Sequence, residues 1–183
     1  MGRELFNRFR KDETGTITVE FVIVVPLLFA LLVLSFEVFD AFKSYSRASK
    51  ATYAVTDIIS RQTSIDQKRV EELHMVLDSM MPWLNEDKWL RVTSLSQGPN
   101  GYNVEWSHAS GTNVTLNNAM IDEELKAILP QIAPGDTVIL TETSIPHRSL
   151  VHWIGLDDVV WQIEQTVRPR FIAAIAGTAP AEG

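Results

Sequence analysis

Cysteine is absent from all 183 residues, which excludes disulfides, thiolate metal sites and cysteine nucleophiles together. Histidine is scarce. His74, His108, His147 and His152 have no metal-ligand spacing beyond the five-residue gap of the last two, so no metal or other cofactor is expected. No G-x-S-x-G or comparable strand-turn-helix setting surrounds Ser107 beside His108, or Ser144 near His147, and catalysis is not expected. The pairs Glu71-Glu72, Glu123-Glu124 and Asp157-Asp158 are neighbours in the chain. Such side chains point apart, so they read as solvated faces or caps and not as acid-base dyads. Positive charge is also short. The net charge is -7, and a mildly acidic soluble part without a basic stripe makes nucleic acid an unsuitable partner.

What the chain does have is one long apolar run. From Phe21 to Phe36 only Pro26 and Ser35 interrupt apolar and aromatic residues. Counting from Thr16 to Val38 gives a span of 23 residues, enough for a bilayer, which needs about 20. The membrane segment is accordingly placed at 16–42, after a charged leader at 1–15. An ordinary secretory signal has its small-residue cleavage site after the apolar run; here the small residue, Gly15, comes before it. Cutting there would leave the run on the mature protein. Arg3, Arg8, Arg10 and Lys11 precede the run and favour an inside start, with the rest of the chain across the membrane. One carboxylate, Glu20, lies within the run's first turns, where a charge costs at least a few kcal/mol unless it is compensated. Near the amino end of a helix starting at Thr16, the dipole and the terminal amine would both favour it. A plain anchor with an interfacial glutamate is the simpler alternative.

From Thr16 to about Ser60 there is no glycine and only one proline, so the spacing predicts one helix, kinked at Pro26. Its second half carries Ala41, Tyr45, Ala48, Val55, Ile58 and Ile59 at three- and four-residue intervals, a face for packing on a soluble domain. Ser64 with Gln67 resembles a capping box, and Val70, Leu73, Leu77, Met80 and Met81 mark a second helix ending at Pro82. Beyond it the period changes to two. Trp89 to Leu95 and Tyr102, Val104 and Trp106 predict a hairpin turned by Gly98 to Gly101, with a short strand at Val114 and Leu116. Ile121 to Leu129 predicts a short helix, and Thr137 to Thr143 and Val159 to Val167 two further strands. Between the last two, Leu150, Val151, Trp153 and Ile154 form either a small core under a long connection or a partner-facing patch. Arg168-Pro169-Arg170-Phe171 either ends a strand with exposed charge or makes a contact. The fold class expected is α+β: a long amino-terminal helix on an antiparallel sheet of about four strands. The soluble domain is expected over 43–176, and a frayed tail over 177–183.

Gly15-Thr16-Ile17-Thr18-Val19-Glu20-Phe21 and the following run with Pro26 resemble the type IV prepilins and pseudopilins. More closely, the short charged leader and the glutamate-phenylalanine pair resemble the TadE-like proteins of the Tad (tight adherence, Flp) pilus system. The resemblance implies a pilin-like fold, with cleavage after Gly15 by a prepilin peptidase and Thr16 as the mature start. It also implies that Glu20 is the assembly carboxylate beside Phe21 and Pro26, and that Glu37 is the acidic residue at the far end of the segment. It further implies an inner-membrane protein with a periplasmic domain, whose partners are other pilins or pseudopilins, an inner-membrane assembly platform and the lipid bilayer. A 168-residue mature chain is far longer than the major pilin of that system, which favours a minor pseudopilin or assembly factor of a pilus that serves adherence. The rival from another class is a signal-anchored periplasmic enzyme or sensor domain.

Overall fold

The stretch from Thr16, glycine-free, and the two residues before it form one helix, α1, over Thr14–Ser60, with Pro26 inside it. The structure, a computed structural model, describes residues 14–81, 88–99, 101–111, 114–121, 123–149 and 158–177. The chain divides into two units, Met1–Phe42 and Lys43–Gly183. In the first unit α1 presents its apolar side chains outward: Phe21, Leu27, Phe29 and Leu31 are all mostly exposed. Ser35, the one hydroxyl in the run, donates to the Leu31 carbonyl at 2.8 Å and so is satisfied within the helix. The expected leader lies outside the described residues up to position 13. The helix, however, begins at Thr14, before the expected boundary. A glycine inside a helix costs only about 1 kcal/mol relative to alanine, too little to stop a helix propagated by so long an apolar segment.

In the second unit the last turns of α1 bury Ala48, Ala51, Val55 and Ile59, at the spacing of a single helical face. Thr52 and Thr56 share that buried face, and their hydroxyls bond back to the carbonyls of Ala48 at 3.0 Å and Thr52 at 2.8 Å. Next come β1 (Ser64–Ile65), α2 (Gln67–Met80), β2 (Trp89–Gly98) and β3 (Gly101–Ser110). A 3₁₀ turn (Asn118–Met120) leads to α3 (Glu123–Ile128), β4 (Thr137–His147), β5 (Val159–Val167) and β6 (Ala176–Gly177). The main sheet is antiparallel in the order β3-β2-β4-β5, and β1 pairs in parallel with β6. The chain is thus α+β with a long amino-terminal helix and four antiparallel strands, as its sequence pattern implies.

Both sheet faces are covered, which explains why β4 is buried nearly throughout. On one face Leu90, Val92, Ile139 and Ile145 meet α1 and the Val70, Leu73 and Leu77 stripe of α2. On the other, Leu95, Val138 and Leu140 meet Leu116, Leu125 and Leu129. Fully burying one such aliphatic side chain contributes about 1.5 to 3 kcal/mol, so each layer is a substantial share of the domain's stability.

Several local expectations change. The cap of α2 is Asp66, whose carboxylate accepts the Arg69 N–H at 2.8 Å, while Ser64 lies in β1. Asp66→Ala is therefore expected to cost about 1 kcal/mol, seen as a lower thermal midpoint, and Ser64→Ala should leave the midpoint within error. The strand expected at Val114 and Leu116 is absent. Leu116 is held instead by its N–H donating to Ser107 Oγ at 2.9 Å. Tyr102, Val104 and Trp106 do not share a face, because the register slips where Ser94 faces Trp106 and Leu95 faces Val104. The extra residue, Glu105, makes a bulge that sends Trp106 into the first core layer and leaves Tyr102 and Val104 on the second. β4 runs on to His147, so Ile145 is a core residue of a strand; Leu150, Val151, Trp153 and Ile154 lie outside the described residues.

The stretch from Arg168 to Gly177 is a strap; beyond Gly177 the tail expected over 177–183 lies outside the described residues. Arg170 N–H donates to the Ser60 carbonyl at 2.9 Å and Ala176 N–H to that of Thr63 at 3.1 Å. Trp106 Nε1–H donates to the Ile175 carbonyl at 2.8 Å. Gly177 lies so close under the Trp106 ring that an added Cβ would meet ring carbons at 2.1 Å. The charges of Arg168 and Arg170 are exposed as expected and pair with Asp136 and Asp57, and Phe171 is open to solvent.

Candidate functional site

The residues singled out around Gly15 all lie on one helix. Gly15 and Thr16 are in the first turn of α1, Glu20 and Phe21 are exposed, and Pro26 is within the helix. Glu20 makes no hydrogen bond or ion pair among the described residues. In the intact chain it is the seventh helical residue, past the turn where the helix dipole acts strongly. If the helix began at Thr16 it would be the fifth. Glu37 differs from its surroundings: it is 4% exposed, whereas Phe36 and Val38 on either side are about 60% exposed. The helix reaches a mean hydropathy of 2.7 over its most apolar 18 residues, none of them buried. By length and composition it suits a single membrane crossing.

The second unit holds the polar groups that a catalytic reading would need, and distributes them otherwise. His74 Nδ1 lies 2.8 Å from Ser110 Oγ, but Asp78 Oδ1 is 3.8 Å from His74 Nε2 and sits closer to Lys88 Nζ, at 3.2 Å. The first distance is a hydrogen bond and the second is not, so the cluster staples α2 to the end of β3. Ser107 Oγ is shared between Thr93 Oγ1 and the Leu116 N–H. His108 is buried beside Trp106, with ring centroids 5.5 Å apart, and His147 faces Trp161 at 6.0 Å. Among the described residues no group of three histidine or carboxylate side chains is placed to hold a metal.

One polar feature escaped the sequence reading. Arg91 and Glu142 face each other across β2 and β4, 8% and 5% exposed. Their fork is bidentate: Arg91 Nε–H to Glu142 Oε2 at 2.7 Å and Nη2–H to Oε1 at 2.5 Å. Nη1–H donates to the Val114 carbonyl at 3.2 Å, and the guanidinium lies 5.6 Å from the centre of the Trp89 ring. The pair forms the floor of a cleft of about 540 Å³, continued by Gln162 and Glu164 of β5. Met120 of the 3₁₀ turn and Ile128 of α3 also line it. Alternation within each strand left the pair hidden, since only the cross-strand register brings the two residues together.

No curated protein and no solved structure matches the chain. A protein-family model does, and it falls on the helix that carries Gly15, Glu20 and Glu37 and not on the cleft: residues 15–57 match the model of the TadE-like protein family.

Proposed function

We propose that the chain is a minor pseudopilin or assembly factor of a Tad-type pilus, anchored by α1 and processed after Gly15. The observation that carries this reading is the coincidence of the TadE-like match over 15–57 with an unburied apolar helix that has Gly15 at its start and Glu20 exposed. On this reading the leader faces the cytoplasm and the domain the periplasm. A prepilin peptidase opens the first turn of α1 at Gly15, where glycine makes an extended conformation easily accessible. Thr16 then becomes the amino terminus. Glu20, now within the first turns of the shortened helix, pairs with the amino group of a neighbouring pilin or pseudopilin and sets the register between subunits. Phe21 and Pro26 shape the packing surface, and Glu37 marks its far end. The chain acts as substrate and structural partner, in support of pilus assembly and adherence.

The test is the mass of the chain extracted from membranes of a strain with an active prepilin peptidase. A species beginning at Thr16 is expected. An intact leader would defeat the reading and leave α1 as a tether alone. Glu20→Ala is expected to be processed normally yet to lose crosslinks to its pilin partners.

A further inference from the structure

The strap keeps one large apolar side chain out of the core. Ile175 is buried in the first core layer and Ile172 packs against it, whereas Phe171 is 71% exposed. The backbone on both sides of Phe171 is fixed. Arg170 N–H is bonded to the end of α1 through the Ser60 carbonyl at 2.9 Å, and the Ala173 carbonyl accepts from Thr137 Oγ1 at 2.6 Å. An aromatic ring held outward on an anchored backbone loses little further freedom when a partner covers it, which favours binding there.

Phe171 follows directly on an uneven charge cluster. Asp57 of α1 lies between two guanidinium groups: Arg61 donates to its Oδ2 through Nε at 3.1 Å and Nη2 at 2.8 Å, and Arg170 Nη2 donates to its Oδ1 at 2.5 Å. One carboxylate balances only one of those two charges. Earlier on the strap Arg168 meets Asp136 at 3.1 Å, so three arginines face two aspartates, a local excess of positive charge on a chain whose net charge is -7. Each guanidinium has five N–H donors, of which Asp57 takes up two on Arg61 and one on Arg170. Both side chains are about half exposed, and each can bond a second carboxylate. Tyr53, one turn before Asp57 on the same side of α1, is 59% exposed. Exposed aromatic rings among arginines are the composition enriched in protein interfaces. The patch lies at the end of α1 away from the apolar run, since from Lys43 to Asp57 the helix rises about 21 Å. A protein segment therefore suits it better than a lipid surface around that run.

We propose that Phe171 with Arg61 and Arg170, bordered by Tyr53 and Arg168, forms a docking surface for an acidic polypeptide segment of a partner protein. That segment sets an apolar side chain against Phe171 and a carboxylate against the arginine pair. The carboxylate completes the neutralisation that Asp57 begins, through charge-assisted hydrogen bonds, and the ring contact removes apolar area from water. The inference goes beyond the pilus reading and stands whether or not the chain serves a pilus.

The test is fluorescence anisotropy of a short labelled peptide that alternates leucine with glutamate, against a control with glutamine in place of glutamate, titrated with the full chain in nonionic detergent micelles. The glutamate peptide is expected to bind about tenfold more tightly at low salt, and the preference to shrink as salt is added. Arg61→Gln and Arg170→Gln should each weaken its binding about three- to fivefold, and Phe171→Ser about tenfold. Lys68→Gln, which removes an exposed charge of α2, should leave binding unchanged. With the unfolding of each variant measured alongside, a loss of binding is separated from a loss of fold. Absence of binding, equal binding of the two peptides, or a loss in Lys68→Gln as large as in Arg170→Gln would overturn the proposal. So would displacement of the peptide by phosphatidylglycerol doped into the micelles, which would assign the patch to anionic lipid, or self-association that Phe171→Ser abolishes, which would assign it to a second copy of the chain.

Discussion

Glu142→Ala is expected to destabilise the domain by about 3 to 5 kcal/mol, a large part of the 5 to 15 kcal/mol typical of a folded domain. The reason is what remains behind. Arg91 is 8% exposed, and without the two carboxylate oxygens its guanidinium is left with the Val114 carbonyl at 3.2 Å as a neutral acceptor. The stranded charge, not the lost attraction, sets the magnitude. Replacing both partners, Arg91→Met with Glu142→Leu, is therefore expected to recover most of the loss. Denaturant unfolding of the full chain in detergent, followed by tryptophan fluorescence, measures both. A double variant as unstable as the single one would show that the pair contributes more than its own neutralisation.

Ile59→Ala is expected to cost about 2 to 5 kcal/mol, although the residue lies near the end of a helix most of whose earlier residues are solvent-exposed or lipid-suited. Ile59 is fully buried, while Tyr53 on the same helix is 59% exposed. Tyr53→Ala should change stability by no more than about 0.5 kcal/mol. The same unfolding measurement separates them. The contrast shows that the carboxyl-terminal turns of α1 are core of the soluble domain. They overlap the end of the TadE-like match at residue 57.

How much of this was legible in the sequence depends on the range of the interaction responsible. Helical faces and strand periods are local, so Val55 and Ile59, the Val70–Leu73–Leu77 stripe and the span of β5 can be read from spacing. The apolar run can be read as well, because its signal is the order of residues along one segment. Features set by partners far along the chain cannot. The bulge at Glu105 depends on how β2 meets β3, and it reverses the face of Trp106. The Arg91–Glu142 fork joins residues 51 positions apart, each of which looks like a stray charge in its own strand. Asp66 outcompetes Ser64 as a cap for a geometric reason: the helix starts one residue after Asp66.

The strap over α1 also has a consequence for the order in which the domain can form. Arg170 reaches Asp57 across 113 positions of sequence, and Gly177 closes against Trp106 near the end of the chain. Contacts of such separation are slow to form, because the loop they close is long. The end of α1, made early, thus receives partners from residues made much later, Arg170 among them. Until Arg170, Ile175 and Ala176 have been made, the carbonyls of Ser60 and Thr63 and the indole N–H of Trp106 lack the groups that satisfy them in the finished fold. In the unfinished domain the end of α1 is still open.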